Sequence, residues 1–198
     1  QNIVSKNIKA EKFGYALSID DPNLKTNWKD IILSSFKRSR RDITKVGIFN
    51  LSYVERLEKE FAKYEDYFTK IEPNAFLDDI TTKNVLIHKN KLSGIVDTDT
   101  ICFGDKLWHL GLTKMALLSL KYDTDYIEYF FEKYNLTQRE RNILDFYTLT
   151  CCVSFMGEIG QKYNKDTVEI DYEKVEYYKE CFEKLISRKK IKDSENIA

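Results

Sequence analysis

The chain has 198 residues, 42% of them apolar and 32% charged, which suits one folded domain with a real core rather than a disordered polymer. Lys and Arg total 32, as do Asp and Glu, so overall charge gives no reason to expect a nucleic-acid partner. No apolar run approaches the roughly 18–20 residues of a membrane span, and the opening QNIVSKNIKAEK lacks the apolar core of a secretory signal.

The four cysteines, Cys102, Cys151, Cys152 and Cys181, form no C-x-x-C pair. They predict buried, reduced thiols in a cytoplasmic protein, with neither a disulfide framework nor a structural zinc site. The first residue is Gln rather than Met, which reads as a trimmed start or an excised fragment.

Residues 1–27 read as an irregular lead-in with a turn at Asp20-Asp21-Pro22-Asn23. Asn27 is placed to cap a helix from Trp28 to about Arg41, with Trp28, Ile31, Ile32, Ser35 and Phe36 on one face. Its basic cluster Lys37, Arg38, Arg40 and Arg41 is expected at a solvated C-terminal end, where the helix dipole is negative. Ser52-Tyr53-Val54-Glu55 has the form of a capping box opening a second helix to about Phe68. Val54, Leu57, Phe61, Tyr64 and Phe68 make its stripe, and Pro73 stops it.

The centre reads as β and loop. Val85-Leu86-Ile87 and Leu92 to Val96 are short apolar runs joined around Lys89-Asn90-Lys91, a hairpin pattern. From Asp105 onward the chain reads as helix. Asp105 caps one from about Lys106 to Lys121, and another spans about Asp125 to Tyr134. A capping box at Thr137-Gln138-Arg139-Glu140 opens a long helix to about Tyr163, in which Gly157 and Gly160 mark close packing or a kink. Asp171 caps a last helix to about Arg188, followed by a disordered tail at 189–198. His88 is expected in solvent at a strand end, and His109, beside Trp108, in the core. The fold class is thus α+β, mostly α: a helical bundle in a single domain, with a small hairpin carrying the chemistry.

Phe76 to Leu110 holds that chemistry. Asp79 is followed, after four residues, by Asn84; the hairpin then delivers Asp97 behind the apolar Ile95-Val96. Phosphoryl transfer needs a base that orients the attacking hydroxyl and metal ions that neutralise charge. Asp79 is the candidate catalytic base. Asn84 and Asp97 are the candidate magnesium ligands, and through the metal they hold the nucleotide phosphates. Asp99 shares a face with Asp97 in extended backbone and is a further candidate metal ligand. Asp78 reads as a solvated loop residue, and Glu158, Asp166, Glu169 and Asp171 as surface charge.

The stretch resembles the aminoglycoside phosphotransferase and choline kinase-like family. Its pattern is His-Gly-Asp-x-x-x-x-Asn followed by three apolar residues, a hairpin, Gly-(apolar)₂-Asp, and Gly-Asp before a helix. This chain offers Leu77-Asp78-Asp79-Ile80-Thr81-Thr82-Lys83-Asn84, then Gly94-Ile95-Val96-Asp97, then Gly104-Asp105. It departs in Leu77-Asp78, where His-Gly is usual, and in His109, where an Asp is usual.

The resemblance implies a kinase-like C-terminal lobe, magnesium, and ATP or GTP. The acceptor would be a hydroxyl of an amino sugar, amino alcohol or similar metabolite. The seven glycines make no phosphate-covering loop, and helices fill much of the chain before Asp79, so the N-terminal β lobe is expected to be absent. Alone, the chain is expected to be inactive, with an exposed apolar surface that favours a homodimer. The second reading is a non-catalytic, kinase-derived helical binding or regulatory module.

Overall fold

The computed structural model describes residues 10–17, 21–78, 80, 84–98, 101–162 and 169–195, the last of these beyond 187 by backbone alone. The fold is mixed α+β and mostly helical. It opens with a strand the sequence reading missed, β1 (Gly14–Ala16). Helix α1 (Trp28–Val46) starts at Asn27, whose side chain accepts from the Asp30 amide at 2.8 Å. It buries Trp28, Ile32, Ser35, Phe36, Ser39 and Ile43 at helical spacing.

α1 passes Arg41 and ends only at Gly47, whose left-handed backbone (φ 74°) lets its amide reach the Ile43 carbonyl. The basic cluster is therefore not at the helix end. Arg40 pairs with Glu58 and Arg41 with Asp42, and Lys45 alone is basic in the last turn.

Helix α2 (Ser52–Phe61) continues through a 3₁₀ turn (Ala62–Tyr64) into the short α3 (Glu65–Phe68). The stripe Val54, Leu57, Phe61, Tyr64 and Phe68 is buried as expected. The Ser52–Glu55 capping box does not form. Asn50 takes that role instead, its Oδ1 accepting from the Ser52 amide at 2.8 Å.

After Pro73 come β2 (Asn74–Leu77), β3 (Val85–His88), β4 (Lys91–Ile95) and β5 (Ile101–Gly104). β3 and β4 form the expected hairpin, while β1, β5 and β2 make an antiparallel sheet in that order. Tyr15, Cys102 and Phe76 stand opposite one another across it, so their side chains share a face. Ala75 and Phe103 lie on the other face with Ala16 and Leu24, in a separate small cluster.

Helices α4 (Trp108–Ser119), α5 (Asp125–Tyr134), α6 (Gln138–Glu158) and α7 (Tyr172–Glu195) complete the fold. α6 is central, packed by α1, α2, α4 and α7. Its predicted capping box forms: Thr137 Oγ1 accepts from the Glu140 amide, and the Glu140 carboxylate accepts from the Thr137 amide. α6 ends at Glu158, short of Tyr163. Gly157 packs against Asp42, and Gly160 lies beyond the helix with φ 82°. Asp171 accepts from the Lys174 amide, and α7 then runs to Glu195, through residues expected to be a tail.

All four cysteines are buried and free. No helix among the described residues is long and apolar enough to cross a membrane.

Candidate functional site

The hairpin places two of the candidate ligands. Its tip, Lys89-Asn90, takes positive φ at both residues (48° and 58°), as a tight two-residue hairpin turn requires. At its base Val85 pairs with Ile95, and the Val96 amide donates to the Asn84 carbonyl at 2.9 Å. The bond extends the pairing one step past the strands. Asn84 and Asp97 therefore emerge at the same end of the hairpin. Asn84 is buried at 6% exposure, while Asp97 is exposed, on backbone turned to φ 60°. Asp79 and Asp99 lie outside the described residues.

An amide oxygen and a carboxylate are the hard donors magnesium takes, and it needs few protein ligands because it keeps waters. The pair thus fits such an ion. Among the described residues no group of three or more His, Cys, Asp and Glu side chains gathers to hold a metal.

The hairpin's apolar side chains face outward. Ile87 and Leu92, opposite one another, are 62% and 65% exposed; Leu86, Ile95 and Val96 are exposed too. Monomers rarely leave such a group in water without a use for it.

Asp78, expected in solvent, is half-buried, with Oδ1 shielded from solvent. The Tyr15 hydroxyl accepts from Trp108 Nε1 at 2.8 Å. Tyr15 is 40% exposed as a whole, but its hydroxyl is its buried end: burial, then the negative charge of Asp78, push the phenol well above its ordinary value. Burial, and after it the same charge, raise the Cys102 thiol. Tyr15 was not legible as a site residue, because its partners lie across a sheet whose first strand has three residues.

A second chain of donors runs alongside. Trp28 Nε1 donates to the Tyr147 hydroxyl at 2.8 Å, and Tyr147 donates to Asp105 Oδ2 at 2.8 Å. Tyr67 donates to the same oxygen at 2.8 Å, and Oδ1 accepts from the Leu107 amide. Asp105 is not the expected cap of α4: the residue flanking the helix is Leu107, with no side-chain cap, and Asp105 instead holds the preceding turn as a buried hub. Desolvation raises its carboxyl, against the pull of the Leu107, Tyr147 and Tyr67 bonds.

The two chains touch. Trp108 meets Trp28 edge-on at 5.8 Å and Tyr147 edge-on at 5.3 Å. His109 is a core histidine, as read, with Phe76 and Phe130 against its ring; burial pulls its imidazole down to about 4.

Compared with protein-family models, curated proteins and solved structures, the chain matches none.

Proposed function

We propose that this chain is the catalytic lobe of a magnesium- and ATP- or GTP-dependent phosphotransferase acting on a hydroxyl of an amino sugar, amino alcohol or related small metabolite. The observation that carries the reading is the Val96–Asn84 bond, which brings Asn84 and Asp97 to one end of the hairpin. In this reading both hold magnesium, with Asp99 as a further ligand. The metal would supply neutralisation of phosphate charge.

Asp79 orients the acceptor hydroxyl and takes its proton as the oxygen attacks the terminal phosphorus, whose bond to the bridging oxygen breaks to release the nucleoside diphosphate. Phosphoryl transfer asks little more of a protein than positioning and electrostatics, so three or four such residues suffice. A second lobe is needed over the phosphates, and the exposed Ile87 and Leu92 offer an apolar seat for one or for a second copy of the chain. On its own the chain is then inactive.

The test is Asp79→Asn in the natural full-length polypeptide, assayed against a panel of amino sugars and amino alcohols. The reading expects magnesium-dependent transfer that the substitution abolishes while folding is kept. Full activity in the variant would overturn it. An absence of transfer in the wild type would favour a helical binding module.

A further inference from the structure

The β3–β4 hairpin stands almost alone. Its strands pack on each other and scarcely on any other described element. Leu86 and Ile87 are both exposed, although neighbours in a strand point to opposite faces, so both faces of the hairpin meet water. A two-stranded ribbon is marginal by itself in water, and it gains from a surface to lie against.

The free end of the hairpin has a definite chemistry. Behind the turn at Lys89-Asn90 come the opposed pairs His88–Lys91 and Ile87–Leu92, the latter side by side on one face. From Val85 to Val96 the stretch carries His88, Lys89 and Lys91 and no acid. The pairing passes over Ser93, between Leu86–Gly94 and Ile87–Leu92. Such a bulge twists the ribbon, and with Lys91 in β4 its edges are poor templates for another strand. What the hairpin presents is its end, an apolar pair beside two lysines.

Helix α5 carries the complement. It turns Ile127 and Phe131 inward, while Tyr126 and Tyr129, three apart and so on a shared face, are more than half exposed. Tyr122, equally exposed, lies in the turn leading in. Asp125 and Glu132 are exposed and flank Tyr129 at helical spacing. The Lys133 ammonium already sits over the Tyr129 ring, 5.7 Å from its centre, so this face takes a cation from its own chain. Exposed tyrosines supply large, stiff contact area and are favoured where proteins meet.

We propose that the hairpin end of one copy of the chain docks on the Tyr122, Tyr126 and Tyr129 face of α5 in another copy. Ile87 and Leu92 lie against the rings, and Lys89 and Lys91 extend their stems past them to Asp125 and Glu132. The two surfaces are unlike, so every copy offers both halves of the contact. The base of the hairpin, with Asn84 and Asp97, is at the opposite end and stays open. The contact stands independently of the phosphotransferase reading.

Sedimentation velocity of the natural full-length polypeptide tests it, with charge reversals at exposed side chains. One variant carries Lys89→Glu with Lys91→Glu, the other Asp125→Lys with Glu132→Lys. The wild type self-associates, and less so as salt is added. Each variant sets like charge against like and associates about a hundredfold more weakly, the scale of such a clash. An equimolar mixture of the two recovers association, because the acidic hairpin then meets the basic helix and the unaltered surfaces meet each other. That recovery requires both variants to be folded, so it separates a lost contact from a lost fold. Tyr129→Ser, which leaves every charge in place, also weakens association. A wild type that stays monomeric overturns the proposal. So does association that survives either reversal, or a mixture of the two folded variants that remains monomeric.

Discussion

Tyr147 and Asp105 meet inside the bundle, the phenol donating to Oδ2 at 2.8 Å with no measurable exposure at Tyr147 and 3% at Asp105. The contact ties the turn after β5 to the central helix α6. It also sets the cost of losing Asp105. Removing the carboxylate strands three buried donors, the Tyr147 and Tyr67 hydroxyls and the Leu107 amide. Asp105→Ala should destabilise the fold by about 3–5 kcal/mol. Asp105→Asn keeps one acceptor oxygen for the two phenols and removes a buried charge, but sets its NH2 against the Leu107 amide, so it should cost less than the alanine while still destabilising. Urea unfolding of both variants checks the order.

Gly104 lies against a ring. A Cβ there would sit 2.1 Å from Trp28 Cζ3, and Trp28 is fully buried, with its indole nitrogen committed to Tyr147. Gly104→Ala must push that ring off its bond and should cost about 3 kcal/mol, at the upper end for overpacking. Thermal unfolding measures it, and a Tm equal to wild type would mean the ring is not held where it is described.

His109 gives the fold a pH signature. Its imidazole is pulled from the usual 6.5 to about 4 by burial. Between those values the unfolded chain binds the proton and the native one does not. Stability from this group is therefore complete above about 6.5 and falls as pH drops toward 4, by about 3 kcal/mol in all. His109→Phe should flatten that slope in Tm measured between pH 4 and 7.

The hairpin surface should behave differently from the core. Ile87 and Leu92 are mostly in water, so Ile87→Thr with Leu92→Thr, which puts a strand-favouring β-branched residue at both positions, should change stability by no more than about 0.5 kcal/mol. The same pair should lower self-association of the chain in light scattering, because it removes the apolar seat.

What the sequence made legible was local. Asn27, the Thr137–Glu140 box, the Asp125–Tyr134 helix and the Val54-to-Phe68 stripe each depend on neighbours within a turn or two, and each stands as read. Ser52 misled because Asn50, two residues earlier, caps the same end. Helix ends were the weak point: α1 needed Gly47 rather than a run of basic residues, and α6 stops before its glycine-linked turn. The β1–β5–β2 sheet was invisible, because strands of three and four residues carry no periodicity of their own and exist only through pairing with distant partners. Asp78 went with it, since it follows directly on β2 and is half-buried there. Within the site, the Asp79–Asn84–Asp97 spacing was visible in the motif, but the closure of the hairpin base was not.

The central claim is tested most directly by magnesium-dependent phosphate transfer from ATP or GTP to amino-sugar and amino-alcohol hydroxyls, in the full-length polypeptide with and without Asp97→Asn. The account predicts transfer in the wild type and a loss of at least about a hundredfold in kcat for the variant, the scale of one missing electrostatic contact to the reacting phosphate. Equal transfer by both proteins, or transfer that persists when magnesium is removed, would contradict it.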